Sequence, residues 1–176
     1  MSGGYVTNNL ARAQGYFDGG GGFLVCGDTG KISVSGGYIT GNQAYSGGGI
    51  RTNWKNSVEL TVSNGYVCAN LATDAEGGGI SLNMGGTGLV TGGYINNNAT
   101  NADQHWGGGG LFGATGSNLY IRNVLITDNS AGGFGGGVGG VLGMLLGVPM
   151  FTVFYKLTSQ ITHDRLTRKE IDIHKL

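Results

Sequence analysis

The chain has little charge. Charged residues make up 11% of its 176 positions and cancel to a net of zero. Residues 1–132 carry five basic side chains (Arg12, Lys31, Arg51, Lys55, Arg122) and seven acidic ones (Asp18, Asp28, Glu59, Asp74, Glu76, Asp103, Asp128). No basic stripe is available to follow a phosphate backbone, which argues against a nucleic-acid partner. Histidine is scarce as well, and His105, His163 and His174 lack metal-ligand spacing. The two cysteines, Cys26 and Cys68, occupy different places in the surrounding pattern. They are expected to be small buried residues rather than a bridge, and they leave the redox compartment open. A phosphate loop and a nucleophile elbow are missing. So is a calcium-binding Gly-Gly-x-Gly-x-Asp nonapeptide, because the run Gly132-Gly133-Phe134-Gly135-Gly136-Gly137 has no aspartate to supply oxygen. No cofactor and no metal are expected. Finally, no window in the first 130 residues keeps an i, i+3, i+4, i+7 apolar stripe, which removes amphipathic helices from that stretch.

What is present is repetition. A short phrase returns five times: Tyr5-Val6-Thr7-Asn8-Asn9, Tyr38-Ile39-Thr40-Gly41-Asn42, Tyr66-Val67-Cys68-Ala69-Asn70, Tyr94-Ile95-Asn96-Asn97-Asn98 and Leu125-Ile126-Thr127-Asp128-Asn129. Successive copies are 33, 28, 28 and 31 residues apart. Four residues upstream of the later copies stand Val34, Val62, Val90 and Ile121. Each asparagine is followed, after a variable gap, by a glycine run: Gly19–Gly22, Gly47–Gly49, Gly77–Gly79, Gly107–Gly110 and Gly135–Gly137. A fixed period with fixed internal columns signifies stacked units. Short apolar runs separated by glycine and asparagine point to strands.

The fold expected for residues 1–132 is therefore all-β, a single-stranded parallel β-helix of about five rungs with about three strands each. Rungs would stack about 4.8 Å apart. The Val/Ile columns would fill the coil, and Asn9, Asn42, Asn70, Asn98 and Asn129 would form an amide ladder, as in stacked cross-β segments. Glycines would serve turns and close approaches. The stretch between each asparagine and its glycine run varies in length and is expected at the surface. Glycine at 39 of 176 positions also suits a low-complexity disordered chain, but such a chain would not hold an aliphatic column in register.

The elements Gly47-Gly48-Gly49-Ile50 and Gly77-Gly78-Gly79-Ile80, followed by Ile39…Asn42, Val67…Asn70, Ile95…Asn98 and Ile126…Asn129 in their columns, resemble the repeats of polymorphic outer-membrane proteins and related bacterial surface proteins. Those are right-handed parallel β-helix repeats of the pectin-lyase-like type. The departures are Gly for Ala in the first element and Ile or Val for Phe in the second. The resemblance implies a non-catalytic cell-surface module, adhesin-like or passenger-like, serving display or contact with glycans or host and cell-surface proteins. Met1–Tyr5 opens inside a repeat with no basic n-region and no apolar h-region, so no signal peptide is visible. A raw first rung would expose strand edges, and a fragment or a longer natural protein is expected.

Residues 133–176 read differently, as a glycine-rich junction, an apolar segment and a polar tail. Val138–Tyr155 is uncharged over about 18 residues, the lower bound for a membrane helix. Gly139, Gly143 and Gly147 are spaced for close packing of such helices. A last buried rung of the coil is the alternative. Lys156, Arg165, Arg168, Lys169 and Lys175 beyond the span imply a cytoplasmic tail and a coil outside the cell. Gly140–Tyr155 also resembles the closing transmembrane segment of the autoinducer-2 exporter-like permease family. That resemblance implies a second reading, a permease's last helix joined at a glycine-rich junction to an unrelated β-helix.

The enzyme alternative is a polysaccharide lyase or hydrolase scaffold. It would need carboxylates, or a carboxylate with a basic partner, gathered on one face. The acids here are scattered. Asp74 and Glu76 are placed in one variable surface loop. Asp103, His105 and Trp106 share the longest loop and form a possible glycan-contact subsite.

Overall fold

The computed structural model describes residues 1–13, 15, 19–53, 58–102 and 107–140. Each repeat contributes four short strands rather than three. The first turn contains β1 (Tyr5–Thr7), β2 (Phe23–Val25) and β3 (Lys31–Val34), with a lone bridge from Leu10 to Gln43 in the fourth place. The second contains β4 (Tyr38–Thr40), β5 (Gln43–Ala44), β6 (Ile50–Thr52) and β7 (Glu59–Val62). The third contains β8 (Tyr66–Cys68), β9 (Leu71–Ala72), β10 (Ile80–Leu82) and β11 (Thr87–Val90). The fourth contains β12 (Tyr94–Asn96), β13 (Ala99–Thr100), β14 (Leu111–Gly113) and β15 (Asn118–Ile121). Part of a fifth follows as β16 (Leu125–Thr127), β17 (Ser130–Ala131) and β18 (Val138–Gly140).

Every pairing is parallel and joins a strand to its counterpart one turn away. This gives a tyrosine sheet (β1-β4-β8-β12-β16), a short sheet (β5-β9-β13-β17), a glycine-run sheet (β2-β6-β10-β14-β18) and a closing sheet (β3-β7-β11-β15). The fourth strand is the two-residue segment after each ladder asparagine, such as Gln43–Ala44. It is too short to show periodicity in the sequence.

Alternation along each strand sends one side chain in and the next out. Inward residues form the core: Ile39, Val67 and Ile95 on the tyrosine sheet, Ile50, Ile80 and Leu111 on the glycine-run sheet, and Val34, Val62 and Val90 on the closing sheet, all 0–1% exposed. Burying each is worth about 1.5–3 kcal/mol. One gap in the columns is filled from across the coil. Gly88 stands between Leu60 and Leu119, and the Leu82 side chain occupies the space its own would take.

The corner between the tyrosine sheet and the short sheet is turned by one residue in the left-handed region. These are Asn8, Gly41, Ala69, Asn97 and Asp128, at φ 55°, 66°, 53°, 55° and 55°. Glycine, Asn and Asp tolerate that conformation, whereas alanine is strained there by about 1–2 kcal/mol.

The coil runs beyond residue 132. Val138–Gly140, expected to open an apolar helix, is strand β18 on β14, with Val138 beside Leu111 and Gly139 beside Phe112. Gly135–Gly137 followed by Val138 repeats Gly108–Gly110 followed by Leu111, and the chain takes the same path. Among the described residues no helix is long and apolar enough to cross a membrane. The remainder of the expected span, including Gly143 and Gly147, and the basic tail lie outside the described residues.

Candidate functional site

The five ladder asparagines lie just past the left-handed corner, where the chain turns inward. Asn42, Asn70 and Asn98 are buried to within 1%. Each Oδ1 accepts two hydrogen bonds from the preceding rung. Asn70 Oδ1 takes the Asn42 main-chain N–H and the Asn42 Nδ2, both at 3.0 Å. Asn98 Oδ1 takes the same pair from Asn70 at 3.0 and 2.9 Å. The other Nδ2 proton donates backward to a tyrosine-sheet carbonyl, as from Asn70 to Ile39 at 2.9 Å and from Asn98 to Val67 at 2.8 Å. The column starts with Asn9 donating to Asn42 and ends with Asn98 donating to Asn129. A carboxamide suits this place because it supplies one acceptor and two donors along one line.

The glycine runs belong to the same device. Gly77 takes φ +72° at the turn into β10. Gly79 has an ordinary φ, but a side chain there would meet the Gly110 carbonyl at 2.5 Å and the Asn98 carboxamide at 2.9 Å. The ladder and the glycine run thus press on each other across the inside of the corner.

The outward face of the tyrosine sheet bears a second column. Tyr5, Tyr38, Tyr66 and Tyr94 are stacked, with ring centroids 5.1, 4.7 and 4.8 Å apart and planes within 7°. Leu125 continues the column. The rings remain accessible, Tyr5 at 74% and the other three at 37–41%. Inside the stack each ring face is covered by its neighbour, so edges and hydroxyls meet solvent. Two residues on, Thr7, Thr40, Cys68, Asn96 and Thr127 form a parallel polar column. In the sequence the tyrosines align the repeats, and their role as a surface ladder was not recognised there. Their recurrence next to an inward aliphatic residue was the available signal.

Cys68 in that column is half-buried and Cys26 is exposed, and both are free thiols. Both point out of the coil, so the expectation of buried cysteines is not met.

Glu76 is not in a surface loop. It occupies the place of Ser46 one turn later, immediately before the glycine run, and is fully buried. The Ser46 hydroxyl donates to its main-chain carbonyl at 3.1 Å, and neither carboxylate oxygen has a hydrogen-bond partner among the described residues. Burial pushes its carboxyl above the usual range; its own backbone, the charge of buried Arg51 and Ser46 offset this only in part. Asp74, two residues earlier, is exposed and lies with Arg12, Gln43 and Tyr45 around a surface groove of about 410 Å³. The structure therefore separates the two carboxylates expected to share a loop. Among the described residues no three His, Cys, Asp or Glu side chains gather. Asp103, His105 and Trp106 lie outside the described residues, and Gly139, assigned above to helix packing, instead lies against the backbone of Gly107 and Gly108.

No protein-family model matches the chain, and no curated protein and no solved structure matches it.

Proposed function

We propose that the chain is a non-catalytic module of a bacterial cell-surface protein, adhesin-like or passenger-like, that contacts glycans or partner proteins through the outer face of its tyrosine sheet. The observation that carries this reading is the register-locked pair of outward columns. Phenol rings recur with centroids 4.7–5.1 Å apart, beside a column that includes Thr and Asn side chains. A linear repeating polymer laid along the coil axis would meet the same groups at every rung. Because ring faces inside the ladder are occupied, contact is by hydrogen bonding to edges and hydroxyls rather than by stacking. Catalysis is the weaker reading, because Glu76, whose carboxyl burial pushes up, has no exposed surface from which to reach a substrate. The same proposal places the coil outside the cell, with residues 141–155 at the membrane and the basic tail inside.

The test is binding of the full chain to a panel of polysaccharides and to intact cells, compared with the double variant Tyr38→Ala/Tyr66→Ala. Retention by wild type and loss in the variant, with circular dichroism unchanged, is the expected result. No retention on any surface, or release of new reducing ends from a polymer, would overturn it.

A further inference from the structure

The stretch between ladder asparagine and glycine run is longer in the first turn (Asn9 to Gly19) and the third (Asn70 to Gly77) than in the second (Asn42 to Gly47). The second turn therefore recedes between its neighbours, and the groove of about 410 Å³ lies over it. Its floor is residues 43–45. One wall carries Leu10 and Arg12, the other Thr73 and Asp74. Both walls hang from main-chain carbonyls of the floor. The Ala11 N–H donates to Gln43 at 2.9 Å, the Thr73 N–H to Ala44 at 2.9 Å and the Asp74 N–H to Tyr45 at 3.2 Å. The groove is thus formed before any ligand arrives, and its size falls within the range of small-molecule sites, about 300–1,000 Å³.

The side chains around it suit a ligand that carries both signs of charge. Arg12 and Asp74 are exposed, and neither has an ion-pair partner among the described residues. In a chain with only 11% charged residues, opposite charges stand uncompensated on the two walls of one groove. Between them Gln43 offers an amide and Tyr45 a hydroxyl, both half-buried, and Leu10, 51% exposed, offers an apolar contact. We infer that this groove is a second binding site, separate from the tyrosine face, for a short zwitterionic peptide. The carboxylate of the ligand would take the Arg12 guanidinium, whose planar fork matches two oxygens. Its ammonium would take Asp74, and its peptide group would meet Gln43 and Tyr45. A neutral sugar would leave both charges unanswered. A simple anion or cation would answer one and be repelled by the other.

Titration of the full chain followed by NMR chemical shifts tests this, with dialanine, its N-acetyl form and its C-terminal amide as probes. Dialanine should bind saturably with a Kd of about 1 mM, and each blocked form about fivefold more weakly. Arg12→Gln should weaken dialanine about fivefold and leave the amide form unchanged, because that form has no carboxylate to lose. Asp74→Asn should weaken dialanine equally and leave the N-acetyl form unchanged. The exchange Arg12→Asp/Asp74→Arg should restore dialanine to within about twofold of wild type, bound in the reverse sense. Tyr38→Ala/Tyr66→Ala, with circular dichroism unchanged, should bind dialanine as wild type does. No saturable shift up to about 10 mM, equal dialanine affinity in wild type and both single variants, or loss of binding in the tyrosine variant would overturn the inference.

Discussion

Replacing Asn70 with alanine removes the middle of the amide ladder, and the structure sets the scale of the loss. Asn70 is 1% exposed and makes four side-chain hydrogen bonds. In Asn70→Ala the Asn42 N–H and one Asn42 Nδ2 proton lose their partners in a place sealed from water, while the Ile39 carbonyl and Asn98 Oδ1 each lose one of two donors. Each such group costs about 1–3 kcal/mol, so roughly 2–6 kcal/mol is expected for the two. That is a large part of a typical stability of about 5–15 kcal/mol. At about 2–4 °C per kcal/mol for a chain of this size, the melting temperature should fall by about 10 °C. Asn53→Ala is the comparison, because Asn53 is half-buried outside the ladder and its side chain reaches Cys26 Sγ at 3.8 Å. It should cost clearly less. Asn70→Asp sharpens the test. Its second oxygen would face the Ile39 carbonyl and Asn98 Oδ1, so acceptor meets acceptor. These neighbours and burial raise the new carboxyl above its unfolded value, so the variant should be worse than alanine at neutral pH and recover on acidification. Thermal unfolding followed by circular dichroism measures all three. Equal shifts for Asn70→Ala and Asn53→Ala, or an Asn70→Asp variant indifferent to pH, would refute the ladder's role.

Ala69 is an exposed corner residue at φ 53°. Ala69→Gly should stabilise by about 0.5–1 kcal/mol, the relieved strain less the added unfolded-state entropy. Ala69→Val should destabilise, and chemical denaturation that ranks valine at or above alanine would contradict the assignment. The folded carboxyl of Glu76 lies above its ordinary value of 4.5. The folded chain therefore holds that proton more tightly than the unfolded one. Stability from this group is complete below pH 4.5 and is lost as pH rises through the folded value. Glu76→Gln should gain melting temperature relative to wild type on going from acid to neutral pH, and parallel profiles for the two would show that the group is not shifted.

The parts of the fold that were legible are those that recur. Tyr38, Tyr66 and Tyr94, the aliphatic residues after them, and Asn42, Asn70 and Asn98 align by eye, and the structure puts each set in one column. The corner residues were less visible because Gly41, Ala69, Asn97 and Asp128 share a backbone conformation rather than a side chain. The continuation of the coil through Val138–Gly140 was missed for a related reason. Val138 continues the Ile50, Ile80 and Leu111 column, but it also begins an uncharged run that reads as helix. The position of Glu76 was not legible at all. Charge and proximity to Asp74 suggested a wet loop, whereas its column partner is Ser46 and its surroundings are dry.

Periodicity alone determined that this protein is a parallel coil, because identical residues at a fixed interval are best satisfied by lying one over the next. It determined which face of each strand is inside, since alternation leaves one choice once the aliphatic residues are placed. Only the tertiary structure decided how many strands make a turn, that the coil continues through β18, and which way the amides point. Those depend on contacts between residues about 30 apart, where a donor finds its acceptor only after the chain has gone once around.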